Sequence, residues 1–74
     1  MERDVIARIR KEAQHNYDEG KKISRDNKWC RVNWFYSDGW NENIERELKK
    51  LGYRIIKFED CLNLFIEWDG DKAP

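Results

Sequence analysis

The sequence predicts an α+β fold: a two-layer α-β-α-β-β sandwich with both helices on one face of a three-stranded mixed sheet. Three observations lead there. Apolar residues recur at helical spacing in two segments, β-branched and aromatic residues crowd three short runs, and the last two runs lie close enough for a hairpin. At 74 residues the chain, 1–74, has room for a single domain.

Residues 2–20 set Val5, Ile6, Ile9, Ala13 and Tyr17 mostly four apart among charged and amide residues, the pattern of an amphipathic helix. Gly20 stands where a left-handed stop is expected, with continuation to about Arg25 as the alternative. Residues 21–28 form a basic connection in which Lys21, Lys22, Arg25 and Lys28 face one acid, Asp26.

Residues 29–36 read as a strand with Cys30, Val32, Trp34 and Tyr36 on the core side and Trp29, Arg31, Asn33 and Phe35 on the other. Ser37-Asp38-Gly39 ends it, and Ser37 or Asp38 is positioned to cap the next helix. That helix, 39–51, carries Trp40, Ile44, Leu48 and Leu51 on its apolar side, has acids early and Lys49-Lys50 late, and stops at Gly52.

Residues 53–58 and 62–68 form the hairpin. Pairing Phe58 with Cys61 puts Tyr53, Ile55, Leu62, Leu64, Ile66 and Trp68 on one face and Arg54, Ile56, Phe58, Cys61, Asn63 and Phe65 on the other. Residues 69–74 are a polar tail. A strand-helix-strand order favours a parallel crossover between the first two strands.

Composition narrows the function classes. No apolar run reaches the roughly 18 residues of a membrane span, and the first residues alternate charge where a secretory signal would be apolar, so a cytoplasmic protein is expected. Cys30 and Cys61 lack Cys-x-x-Cys spacing, and no metal or cofactor is expected. His15 is the only histidine and has no Cys or Ser beside it; the glycines are isolated, and the acidic clusters lack cation-loop spacing. The expectation is a protein that is not an enzyme.

Fifteen basic and fifteen acidic side chains cancel overall, but nine bases face six acids in residues 1–37, with the reverse in 38–74. With helices on the Val32, Trp34, Ile55, Leu64 and Ile66 face, the opposite face exposes Phe35, Ile56, Phe58 and Phe65, with Arg31 and Arg54 between them and Trp29 at the margin. An apolar patch flanked by arginine has the make-up of a binding surface. Its expected occupants are another protein and a second copy of the chain, on an equal footing and not excluding one another. Nucleic acid ranks behind, resting on the same aromatics with Lys21, Lys22, Arg25, Lys28, Arg31 and Arg54; zero net charge weighs against it.

The second helix running into Leu48-Lys49-Lys50-Leu51-Gly52-Tyr53-Arg54-Ile55, followed by a hairpin closing on Ile66-Glu67-Trp68, resembles small uncharacterised α/β proteins encoded by bacteriophages. The resemblance spans most of residues 5–68 through short motifs. It implies a phage or prophage origin, a place in the host cytoplasm and a role in modulating or inhibiting a host protein, and it carries over no catalytic residues. The basic 21–28 connection is longer than such proteins usually have.

Overall fold

The structure, a computed structural model, describes residues 2–23, 30–69 and 73–74. In chain order it consists of α1 (Glu2–Ile23), β1 (Arg31–Phe35), α2 (Glu42–Leu51), β2 (Arg54–Lys57) and β3 (Asn63–Glu67). The α+β class and the order of elements are as the sequence predicts.

The sheet is antiparallel throughout, in the order β1-β3-β2, where a mixed sheet with a parallel crossover between neighbours was expected. The first two strands do run parallel to each other, but β3 lies between them. Side-chain chemistry accounts for the choice of central strand. In β3, Leu64 and Ile66 are fully buried, whereas β2 is only half-buried and begins and ends on the charges of Arg54 and Lys57, as edge strands commonly do.

The core lies between this sheet and the helices. Ile9, Ala13 and Tyr17 of α1 and Ile44 and Leu48 of α2 meet Val32, Trp34, Leu64 and Ile66 of the sheet, with Tyr53 and Trp68 closing one end. Those last two rings meet edge to face, centroids 5.8 Å apart. Val5, Ile6, Cys30, Tyr36, Trp40 and Ile55 pack around this cluster.

Several local expectations are corrected. Gly20 does not stop α1; it is buried within the helix, which runs to Ile23. A glycine costs a helix about 1 kcal/mol, which tertiary packing readily overrides. α2 begins at Glu42, and its cap is Asn41 rather than Ser37 or Asp38. The Asn41 Oδ1 accepts from the Ile44 N–H at 3.0 Å, while residues 36–39 form the preceding turn. Gly52 ends α2 with φ 109°, as expected, its N–H returning to Leu48 and Lys49. Leu51, assigned to the apolar side, is exposed at this last turn.

The hairpin register differs by two residues from the expected pairing: Ile55 lies opposite Ile66, and Lys57 opposite Leu64. Phe58 to Leu62 therefore form a longer loop, with Asp60 at φ 60° in the left-handed region. Because side chains alternate with period two, a slip of two leaves strand faces unchanged. Leu62, expected in the core, stands in the loop at 81% exposure instead.

Candidate outer-face interaction site

Cross-strand pairing arranges the sheet face away from the helices in rows. Asn33, Phe65 and Ile56 form the middle row; Arg31, Glu67 and Arg54 lie on one side of it, and Phe35 and Asn63 on the other. Phe58 follows β2 directly and turns its ring against Phe65, edge to face at 5.2 Å. All six residues expected on this face, Phe35, Ile56, Phe58, Phe65, Arg31 and Arg54, are thus brought together.

They are not equally available. Phe35 and Phe58 are 50% and 41% exposed, whereas Ile56 and Phe65 are half-buried. Phe65 is covered from two sides, by Phe58 and by the Arg31 guanidinium, which lies 4.6 Å over its ring centroid. Such a contact holds the cation flat on the sheet.

Both guanidiniums are also neutralised, which the sequence reading did not foresee. Arg31 Nε donates to Glu67 Oε2 at 2.7 Å, and Arg54 Nη2 lies 3.6 Å from Glu67 Oε1 while Nη1 donates to Asp69. The Asp69 carboxylate, then Glu67, raises the Arg54 pKa above its ordinary value. Glu67 thus sits between two cations brought in from either neighbouring strand, in the row where the ladder places it.

The other end of the face has the opposite character. Phe35 and Phe58, two of the four exposed large apolar side chains among the described residues, stand on either side of Asn63 where β1 runs out and the hairpin turns. Tyr36 N–H donates to the Leu62 carbonyl at 3.1 Å and ties the two turns together. Asp38 in the first turn and Glu59 and Asp60 in the second are exposed, and no ion pair among the described residues involves them. These three acids rim that end of the face although the sequence reading left them out; Leu62, bonded through its carbonyl to Tyr36, continues the ladder in phase with Leu64 and Ile66 and is exposed without belonging to the outer face. The signal for Leu62 lay in the loop length, which local propensity did not fix.

The edge of β1 is partly blocked. Hydrogen bonds from Tyr36 to Leu62 and from Trp68 to Cys30 put even-numbered residues of β1 in register with β3, so Arg31, Asn33 and Phe35 turn their backbone outward. The Arg31 carbonyl there accepts from Asn16 Nδ2 at 2.8 Å and the Phe35 carbonyl from Asp38 N–H at 3.0 Å. Such coverage opposes addition of another strand.

Of the expected basic patch only the Lys22 side chain falls within the described residues. Lys22 pairs with Glu19 at 3.3 Å on α1; the Lys21 side chain, Arg25, Lys28 and Trp29 lie outside the described residues. His15 is exposed on α1 in a shallow depression with Arg8, Lys11, Glu12 and Trp34, where the Arg8 guanidinium lies 5.2 Å over the indole. A second depression, lined by Glu2, Asp4, Val5, Gly39, Trp40 and Asn41, lies at the N-terminal ends of both helices, where acids serve the helix dipoles. Among the described residues no group of three His, Cys, Asp or Glu could hold a metal ion, and no helix is long and apolar enough to cross a membrane.

No family model, curated protein or solved structure matches the chain.

Proposed function

We propose that the chain is a non-enzymatic binding protein that uses the outer face of its sheet to cover a surface of another protein. The observation that carries this reading is the exposure of Phe35 and Phe58 at one end of a face that neither helix covers. Half-exposed aromatics held by a rigid strand ladder are the usual anchors of a protein interface, since little side-chain entropy is lost when they are buried. Arg31 and Arg54 orient the partner at the other end through guanidinium edges that remain half-exposed beyond Glu67 and Asp69.

The wider setting of the proposal is the one the phage resemblance implies: an accessory protein acting in the host cytoplasm, inhibiting or modulating a host protein by occlusion. A nucleic-acid role stands second. Its support is the exposed rings of Phe35 and Phe58 on the same face as two arginines; the carboxylates on those arginines and the unpaired acids near Phe58 speak for the protein reading.

Solution mass measured across a dilution series tests the proposal. A monomer at low micromolar concentration, with the apolar end of the face open, is the expected result. A dimer that survives dilution and is lost in Phe58→Ser would mean the face is spent on self-association.

A further inference from the structure

Resting on the reading of the outer face as a protein-binding surface, we infer that its partner presents a basic, amphipathic segment: apolar side chains seat on Phe35 and Phe58, and Lys or Arg side chains meet Asp38, Glu59 and Asp60. The argument is charge complementarity. Among the described residues the cations of the face are Arg31 and Arg54, and both are already held by Glu67 and Asp69. The nearest remaining cation on the hairpin, Lys57, is turned to the helix side and pairs with Glu45 at 2.9 Å. What the apolar end offers in uncompensated charge is therefore negative, from three exposed carboxylates on the two turns that flank it.

This arrangement selects among occupants. A second copy would bring the same three carboxylates toward the same apolar end, and its arginines are already engaged. Phosphate, in a nucleic acid or an anionic lipid, meets like charge where the aromatics are most exposed. A cationic amphipathic segment has neither difficulty: its apolar side covers the two phenyl rings while its charges reach a rim that stays wet. Rim pairs of this kind speed encounter and set orientation, and the apolar centre supplies affinity.

The experiment uses the isotopically labelled full chain and three synthetic peptides of equal length: leucine with lysine, leucine with glutamate, and lysine with glycine and serine. The leucine–lysine peptide is expected to shift the amides of Phe35, Asp38 and Phe58 to Asn63, with a salt-sensitive Kd. The triple variant D38N/E59Q/D60N should raise that Kd about tenfold, the scale three exposed pairs reach together, and Phe35→Ser should weaken it independently. Asparagine tolerates the left-handed backbone of residue 60, so the variant retains the turn.

If the leucine–glutamate peptide moves the same amides as strongly, the charge selection is overturned while the face remains a binding surface. Equal binding of the lysine–glycine–serine peptide overturns the apolar anchoring. If neither leucine peptide moves the face, this inference and the reading beneath it fall together. Shifts produced by raising the protein concentration alone, or by a single-stranded oligonucleotide, would assign the face to a second copy or to nucleic acid and overturn the inference.

Discussion

Phe58 meets Phe65 edge to face at 5.2 Å, one ring at the mouth of the hairpin loop and the other in the middle of the central strand. The contact joins the exposed end of the outer face to its half-buried centre, so truncating either ring acts on both stability and binding, in different proportions. Phe65→Ala, which removes a ring packed under Arg31 and against Phe58, is expected to cost about 2 kcal/mol, below the range for a fully buried phenylalanine. Phe58→Ala should cost about 1 kcal/mol and Leu62→Ser no more than about 0.5 kcal/mol. Urea unfolding of the three variants checks the order.

Glu67 neutralises two guanidiniums at once. Its replacement in Glu67→Ala is expected to cost under about 1 kcal/mol, because both arginines remain half-exposed and solvent screens what is lost. The larger consequence is a change in what the face attracts. With Arg31 released and Arg54 left to Asp69 alone, the variant should acquire salt-sensitive retention of a single-stranded oligonucleotide that the wild type lacks, read by fluorescence anisotropy at low ionic strength.

The acid limb of stability should report on Glu45. Its carboxylate bonds Lys57 at 2.9 Å and Lys49 at 3.3 Å, and the Lys57 bond foremost holds its pKa below the ordinary value despite some burial. A depressed folded-state pKa means stability that is present above the unfolded-state value and is lost as pH falls through the folded one. Wild-type melting temperature should accordingly fall from about pH 5 downward, and Glu45→Gln should flatten that limb while lowering stability at neutral pH. Lys57→Met should flatten it in the same direction.

The turn that leads into α2 rests on two residues. Gly39 has φ 82°, and a Cβ there would stand 2.9 Å from Val5 Cγ2, so Gly39→Ala combines backbone strain with a clash against α1. An expected cost of about 1–3 kcal/mol follows from the strain. Asn41→Ala removes the cap on the Ile44 N–H and should cost about 1 kcal/mol. Circular dichroism melts of the two variants, with Asn41→Ser as the rescue of the cap, test both.

Which features were legible in the sequence depends on the range of the interaction that decides them. Alternation in 29–36 and in the hairpin placed Val32, Trp34, Leu64 and Ile66 in the core and Phe35, Ile56 and Phe65 opposite, because period two survives a slip of two residues. Leu62 was misplaced because its position depends on the length of the loop, which the weak turn residues Glu59-Asp60 did not specify. Strand order was missed for a related reason. Making β3 central requires weighing the burial of Leu64 and Ile66 against the charges at both ends of β2, which is a comparison across the whole sheet. The neutralisation of Arg31 and Arg54 was equally hidden, since Glu67 lies 36 positions from Arg31 and meets it only through the observed register. Local chemistry misled at Gly20, where burial in the helix interior overrode a stop signal, and at residues 37–41, where three polar residues were each suited to capping and Asn41 took the role.

The central claim is that the apolar end of the outer face engages a protein. Its most direct measurement is quantitative capture from a bacterial extract, comparing wild-type bait with a Phe35→Ser/Phe58→Ser bait whose amide spectrum confirms the same fold. The account predicts at least one protein retained by the wild type and lost with the double variant. Retention of the same proteins by both baits, or of none by either, would contradict it.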